Sequence, residues 1–225
     1  MTNKKTCFLI GGGASLNSHI KNGLWGILNG QDVWSLNFAF KFMPFVPSRE
    51  CWVDTSFFKN NITDLQNLSK LNVPLYCKKN EYYKAFTFIN QYNTYRDTNK
   101  TPILPTDIFI GNMGLVGIFA LSLAIYENYE TIYLFGYDFG TPNLYDENTH
   151  FYQSQVKETK IQSSGVGNPR VYYSGEKLKN SVTDFEYYKQ FNREIWNVSE
   201  TSNISAFPRI SYNDLISKLN LTKQV

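Results

Sequence analysis

Residues 7–16 read CFLIGGGASL. Four apolar side chains lead directly into three glycines, and a small residue, a serine and a leucine follow. We interpret residues 6–10 as a buried first strand, the glycines as a tight turn, and the residues after them as the start of the first helix. Such a turn presents backbone N–H groups and a helix dipole to an anion, most often a phosphate. We therefore expect the chain to build a nucleotide site around this turn.

The residues on either side of the turn alternate between strand and helix patterns. Apolar spacing predicts a helix over 16–28, a strand over 33–36 that ends at Asn37, and a strand over 50–54 that ends at Asp54. Ligands of open α/β sheets bind outside the carboxyl ends of the strands, so both polar residues should face the same crevice as the glycine turn. The sequence thus predicts an α/β fold, with a Rossmann-like, doubly wound, mostly parallel sheet and helices on both faces (three-layer α/β/α).

Further elements continue the pattern along the chain. They are helices over 56–71, 115–126, 182–198 and 212–219, strands over 73–77, 108–110, 131–135 and 204–207, and a helix followed by a loop over 80–100. The regular pattern fails over 141–181, which we expect to form a lid or an insertion because loops of this length are usually functional or disordered. No internal repeat is present, and we expect a single nucleotide-binding α/β domain over residues 1–225.

The composition is that of a globular protein. Hydrophobic residues make up 42% of the 225 residues and charged residues 18%, which excludes an intrinsically disordered chain. The net charge of +3 and the pI of about 8.6 are too mild to indicate nucleic-acid binding by themselves. No long run of basic residues stands out, and we interpret the pair Lys78-Lys79 as solvated surface.

The cysteines and the N-terminus indicate a reducing compartment. Cys7, Cys51 and Cys77 lack CxxC spacing, so we expect buried thiols and neither a disulfide framework nor a zinc site. The apolar run near the N-terminus is too short for a signal-peptide core or a membrane span. We therefore expect a soluble, cytoplasmic protein without a membrane span.

Two familiar phosphate-binding motifs are absent from the glycine turn. The spacing of Gly11, Gly12 and Gly13 is not GxGxxG, which argues against a dinucleotide-dependent dehydrogenase. The turn also lacks the GK[ST] ending of a P-loop, so an ATPase of that class is not expected. A tight strand-to-helix turn without a ligand remains the alternative interpretation.

Three titratable side chains are candidates for chemistry. Asp54 and Asp138 each follow a predicted strand, and three roles stay open for them: ligating a metal, holding ribose hydroxyls or capping a helix. Glycines on both sides of Asp138 favour a ligand role because they let a ligand approach the backbone. His150 lies in the predicted loop, where a histidine can act as a general base near neutral pH or stand exposed without a role. We assign no catalytic role to His19.

Three stretches together resemble two related enzyme groups. They are GGGASL at 11–16, GNMG at 111–114, and IYLFGYDF at 132–139, which follows an apolar helix. This order resembles the sialyltransferases of glycosyltransferase family 42 and the 6-hydroxymethylpterin pyrophosphokinase-like proteins (domain-of-unknown-function family 115). Both groups usually read G-N-G-P-S-L in the first turn, so Gly12 and Ala14 depart from their pattern. The resemblance covers residues 6–152.

The resemblance to the sialyltransferases implies a transferase that moves a sugar from a nucleotide-sugar donor, such as a CMP-sugar, to an acceptor hydroxyl. His150, in the sequence THFY, is similar to the family's catalytic histidine and would deprotonate that hydroxyl. Tyr137 and Tyr152 would stand near the leaving phosphate, and no metal or other cofactor would be required. The implied nucleotide-binding residues are Gly11, Gly12, Gly13, Ser15, Asn37, Asp54, Asn112, Met113, Gly114, Gly136 and Asp138.

Two other functions stay open. A pyrophosphokinase acting on a pterin-like heterocycle would need Mg²⁺ between ATP phosphates and carboxylates such as Asp54 and Asp138. A nucleotide-binding protein without catalysis is the second alternative, because Gly12 replaces the asparagine of the motif. For a transferase, the acceptor is a glycan, a small molecule or, from the mild positive charge alone, modified DNA. The sequence does not determine the sugar, the nucleotide or the oligomeric state. A homo-oligomer is one of the open alternatives.

Overall fold

The computed structural model describes residues 4–96, 107–111, 114–139, 182–199 and 202–222. In these ranges the strands are β1 (Thr6–Ile10), β2 (Val33–Leu36), β3 (Arg49–Trp52), β4 (Leu75–Lys78), β5 (Asn90–Tyr92), β6 (Thr94–Tyr95), β7 (Ile108–Phe109), β8 (Thr131–Phe135) and β9 (Glu194–Asn197). The α-helices are α1 (Leu16–Lys21), α2 (Leu24–Leu28), α3 (Thr55–Lys70), α4 (Val116–Tyr126) and α5 (Tyr212–Thr222). Short 3₁₀ helices cover Asn37–Phe42, Glu81–Tyr83 and Asp184–Gln190.

The main sheet has seven parallel strands in the order β5-β4-β3-β2-β1-β8-β9. The chain steps outward from β1 to β5 and then crosses back to add β8 and β9 on the other side of β1. In register, Ile10 lies between Ser35 of β2 and Phe135 of β8. The strand order therefore reverses between β1 and β8, and in doubly wound sheets ligands bind at such a switch point.

Helices cover both faces of the sheet, because successive side chains of each strand point to opposite faces. Helix α4 is buried from Gly117 to Ile125 and packs on one face against residues such as Leu9, Trp34 and Leu134. Helices α1, α2, α3 and α5 pack on the other face. The expected three-layer, Rossmann-like α/β fold is confirmed.

Paired charges lie at the amino edge of the sheet, where the parallel strands begin. Arg49, at the start of β3, forms salt bridges of 3.0 Å with Asp32 and 3.0 Å with Glu127. Its guanidinium also lies 4.7 Å from the centre of the Trp34 ring, which adds a cation–π contact. The hydroxyl of Tyr129 donates a hydrogen bond to Asp32. The positive charge of Arg49 is thus already neutralised by protein groups.

Several predicted elements are confirmed and others shift. Strands 6–10, 33–36 and 131–135 have the expected bounds, and α3, α4 and α5 match their predictions within a few residues. The predicted strand 50–54 ends at Trp52, which leaves Asp54 as the N-cap residue of α3. The strand predicted over 73–77 is β4, and the strand predicted over 108–110 pairs with β6 in a separate two-stranded sheet.

The predictions for four segments were wrong. The single helix over 16–28 is two helices, because Gly23 adopts a φ of 87° that no α-helix accommodates. Within the predicted helix and loop over 80–100, the described residues 80–96 hold a 3₁₀ turn and two short strands. Segment 182–198 is a 3₁₀ helix followed by β9, since aromatic side chains spaced by three also fit a 3₁₀ turn. Segment 204–207 packs against the sheet without forming a strand.

Other expectations concern thiols, membranes and the long loop. Cys7, Cys51 and Cys77 are free and buried, and burial raises the pKa of each thiol. Among the residues described, no helix combines the length and apolar character needed to cross a membrane. The predicted lid over 141–181 lies outside the described residues.

Candidate functional site

Two turns meet at the carboxyl ends of β1 and β8. The N–H of Gly11 donates to the carbonyl of Phe135 at 2.8 Å, and the N–H of Gly13 donates to the carbonyl of Gly136 at 2.9 Å. A Cβ atom at position 13 would lie 2.6 Å from that Gly136 oxygen, so only glycine fits this approach. The glycine turn and the G-x-D turn singled out in the sequence therefore form one structural unit.

A carboxylate joins the same unit. The backbone N–H of Ser15 donates to Asp138 Oδ2 at 2.9 Å, and the Ser15 hydroxyl donates to the other carboxylate oxygen. Asp138 is only 7% exposed. Of the three roles left open for this residue, its contacts match capping of the first helix, because it accepts from the N-terminal end of α1.

Ser199, which the sequence did not mark, lies against this pair. Its hydroxyl oxygen is 3.1 Å from Ser15 Oγ and accepts a hydrogen bond of 3.1 Å from the N–H of Tyr137. Asn197, at the end of β9, accepts from the N–H of Ser199. No motif in the sequence identifies these residues, since their position depends on β9 pairing with β8.

The N–H groups of the glycine turn divide into two sets. Gly11, Gly13 and Ser15 use theirs within the protein, as described above. The N–H groups of Gly12 and Ala14 have no partner among the described residues, and both residues are partly exposed. An anion at this turn would therefore be bound by Gly12 and Ala14, the two positions that depart from the G-N-G-P-S-L pattern.

Asn37 lies at the carboxyl end of β2, as expected, in the left-handed region with a φ of 55°. Its Oδ1 atom is buried, and within the described parts of the chain no hydrogen-bond donor reaches it. The backbone N–H of Asn37 faces the carboxyl of Glu50 on the neighbouring strand. Asn37 therefore presents a buried acceptor at the edge where Gly11 also lies.

Glu50 is a functional candidate that sequence reasoning missed. Its side chain is fully buried, and it accepts a hydrogen bond from the Ser35 hydroxyl. Loss of solvation raises the pKa of Glu50 well above its usual value, and the hydrogen bond from Ser35 and the nearby backbone N–H of Asn37 only partly oppose this shift. The one sequence signal was an acidic residue directly before the apolar run of β3.

Asp54 lies at the surface of the same edge, at the N-terminus of α3. Neighbouring protein atoms raise the pKa of its carboxyl by desolvation, and the positive charge of Lys78 opposes that shift. Asp54 and Asp138 follow β3 and β8, which are three strand spacings or about 14 Å apart. The two carboxylates cannot ligate one ion at that separation. No group of three His, Cys, Asp or Glu in the described ranges is arranged to hold a metal.

The side chain of Tyr137 does not lie at the carboxyl edge of the sheet. The residue is 1% exposed, and its hydroxyl donates to the carbonyl of Gly117 in α4 at 3.1 Å. Burial raises the pKa of this phenol well above its ordinary value. The predicted place of Tyr137 near a leaving phosphate does not fit this position in the core.

The second small-residue turn brings in two charged residues that the sequence had not marked. Gly111 and Gly114 have φ angles of 68° and 67°. A Cβ at Gly111 would lie 2.5 Å from Asp184 Oδ2, and one at Gly114 would lie 3.1 Å from the guanidinium of Arg96. Asn112, Met113, His150 and Tyr152 lie outside the described residues, so their predicted roles stay predictions.

A cleft of about 820 Å³ opens beside Asp54, at the carboxyl end of β4. It is lined by Lys78, Lys79, Asn80, Glu81, Asn93, Thr94, Arg96, Asp107 and Ile110. Nearly all of these side chains are polar or charged. The cleft therefore suits a hydrophilic molecule better than an apolar one.

No family model matches the chain, and no curated protein matches it. Among solved structures, the chain is similar to the MAf glycosyltransferase from Magnetospirillum magneticum AMB-1, with a TM-score of 0.52 and 11% sequence identity. The match covers 98% of this chain and 37% of that one. This protein thus shares its fold with a glycosyltransferase and spans little more than a third of that protein's length.

Proposed function

We propose that the chain is a glycosyltransferase that uses a nucleotide-sugar donor, with a CMP-sugar as the first candidate. The observation that carries the proposal is the joined pair of turns at the β1/β8 switch point, where Ser15 is hydrogen-bonded to Asp138. In doubly wound sheets a nucleotide lies across this crevice. The likeness in fold to a glycosyltransferase supports the choice of reaction class.

The donor would lie along the carboxyl edge from β8 to β3. The N–H groups of Gly12 and Ala14 would bind a phosphate, because they are the accessible donors of the turn. Asn37 Oδ1 would accept a hydrogen bond from the base or the ribose, which would satisfy a buried acceptor. Asp54 would lie beside the sugar, and Asp138 would hold the turn in shape without touching the donor.

The transfer step needs a base for the acceptor hydroxyl. By the resemblance to the sialyltransferases, that base is His150, which takes the hydroxyl proton as the oxygen attacks the anomeric carbon of the donor and the nucleotide leaves. The N–H groups at the turn would stabilise the negative charge on the leaving phosphate. No step in this scheme requires a metal ion.

A panel of CMP, UDP, GDP and ATP, each with and without Mg²⁺, tests the proposal by thermal shift. We expect CMP or a CMP-sugar to raise the melting temperature without metal, because a ligand that binds only the folded state stabilises it. Stabilisation that appears only with ATP and Mg²⁺ would favour the pyrophosphokinase alternative instead. Binding without turnover of any sugar would favour the non-catalytic alternative.

Substitution of the proposed base tests the chemistry separately. His150→Ala should abolish transfer while CMP still stabilises the protein, because the histidine acts on the acceptor and not on the nucleotide. Circular dichroism provides the control for folding. Full transfer activity in a folded His150→Ala variant would rule out the assignment of this base.

A further inference from the structure

The cleft beside Asp54 contains two lysines that form no salt bridge with a described residue. Lys78 is the last residue of β4 and is half-buried, and Lys79 follows it on the surface. Neither lysine forms a salt bridge with another described residue. This differs from the amino edge of the sheet, where Arg49 is paired with two carboxylates.

The other described charges at the cleft reduce this positive charge without cancelling it, and Asp54 offsets part of the charge of Lys78. Arg96 adds a third cation, and Glu81 and Asp107 add two anions. Glu81 is already paired with Lys84, three residues further along the chain. Lys78 and Lys79 therefore leave a positive field in the cleft, where low-dielectric walls strengthen its effect on an incoming anion.

The uncharged side chains that line the cleft indicate which class of ligand it can bind. Asn93 and Thr94 supply side-chain donors and acceptors, and Ile110 is the one apolar residue among the described side chains that line the cleft. A volume of about 820 Å³ lies within the range of small-molecule sites. These features match a small, hydroxyl-rich molecule with a phosphate or carboxylate group and do not match an apolar one.

The distance between the cleft and the switch point leaves room for a donor at one and a second molecule at the other. Strand β4 is three places from β1, so the ends of these two strands are about 14 Å apart. Asn37 and Asp54 occupy the edge between them, where the proposed donor extends its sugar. A second molecule in the cleft would therefore face the sugar end of the donor.

We propose that this cleft is the acceptor site and that Lys78 and Lys79 bind an anionic group, a phosphate or a carboxylate, on a hydroxyl-rich acceptor. The acceptor role rests on the proposed transferase function, and the anion site rests on the lysines alone. The sequence pattern indicated solvated surface at Lys78 and Lys79, whereas in this proposal the two lysines determine acceptor specificity.

Isothermal titration calorimetry at low ionic strength tests the site with glucose 6-phosphate, glucuronate and glucose as probes. We expect both anions to bind, and we expect the Kd for glucose to be at least about tenfold higher. A difference of this size corresponds to the loss of one charge-assisted hydrogen bond. Lys78→Ala/Lys79→Ala should weaken both anions by at least about fivefold. Equal binding of glucose, or unchanged binding by the double variant, would overturn the proposal.

The chain offers a matched control. Lys21→Ala/Lys70→Ala removes two exposed lysines at the C-terminal ends of α1 and α3, near the amino edge of the sheet. It changes the net charge by the same amount as the test variant. Anion binding should stay within about twofold of wild type in this control, because these lysines lie at the opposite edge of the sheet and the Coulomb energy between charges in water falls with their distance.

A competition experiment separates the acceptor from the donor. With saturating CMP, the affinity for glucose 6-phosphate should stay within about twofold, since the two sites are separate. Displacement by CMP would overturn the acceptor assignment, because the anion would then occupy the donor site. If no nucleotide binds while anion binding still depends on the lysines, the transferase proposal and the acceptor role fail and the anion site remains. If CMP binds and the lysines have no effect, only the cleft proposal fails.

Discussion

Asp138 accepts two hydrogen bonds from Ser15, one from the backbone N–H at 2.9 Å and one from the hydroxyl. The two residues are 123 positions apart in the chain. Their contact links the turn after β1 to the turn after β8 at the place where the strand order reverses. The stability of the fold and the shape of the proposed donor site therefore depend on the same carboxylate.

Removal of that carboxylate should destabilise the protein. Asp138→Ala loses two hydrogen bonds to a nearly buried charged acceptor, so we expect the free energy of unfolding to fall by about 2–4 kcal/mol. Asp138→Asn keeps one amide oxygen and should lose less. Urea denaturation measures both. As a control, Asp64→Ala breaks only an exposed pair with Lys41 and should cost less than about 1 kcal/mol. Equal losses for Asp138→Ala and Asp64→Ala would contradict the capping role.

Gly13→Ala tests the close approach of the two turns. The added Cβ would lie 2.5 Å from the carboxylate of Asp138 and 2.6 Å from the carbonyl oxygen of Gly136. Because a backbone carbonyl cannot move aside freely, we expect a loss of about 2 kcal/mol or more in unfolding free energy. Gly26→Ala is the matched control, since its Cβ would meet open space within α2. That variant should gain about 0.5–1 kcal/mol. If Gly13→Ala left the free energy of unfolding unchanged, the two turns would not approach each other this closely.

The sequence predicted the central strands of the sheet better than its outer strands β5 and β9, for a physical reason. Buried strands such as Thr131–Phe135 are continuous apolar runs, and this pattern is visible without tertiary information. The contact between Ser15 and Asp138 was not visible, although both residues had been singled out, because it depends on β8 pairing beside β1. Glu50 and Ser199 were missed for the same reason, since their partners are distant in the chain or on another strand.

Glu50 should make the stability depend on pH. Burial raises its pKa in the folded state, so between the pKa of the unfolded chain, about 4.3, and the folded value only the folded state keeps the proton. The unfolding free energy should therefore fall as the pH rises through this range, by at most about 1.4 kcal/mol per pH unit.

Glu50→Gln removes this dependence because an amide does not titrate in the range. We expect the variant to gain stability relative to wild type as the pH rises above about 4.3, which urea denaturation at several pH values measures. Glu81→Gln is the control, since Glu81 is on the surface and its one salt bridge with a described residue is an exposed pair with Lys84. The unfolding free energy of this variant should change with pH as that of wild type does. A parallel profile for Glu50→Gln would mean that Glu50 titrates normally.

Asn37→Gly separates the backbone role of this residue from the role of its side chain. The φ of 55° strains most residues but not glycine, so the free energy of unfolding should change by less than about 0.5 kcal/mol. The buried Oδ1 atom is lost, however, and the Kd for the nucleotide that the thermal-shift panel identifies should rise by about fivefold to tenfold.

The control for this variant has the same backbone geometry. Asn72 has a φ of 62° and is exposed just beyond α3, at the amino edge of the sheet. Asn72→Gly should therefore leave both stability and nucleotide affinity close to wild type. If the two variants have the same nucleotide affinity, Asn37 does not contact the donor, and the donor site would then be confined to the β1 and β8 turns.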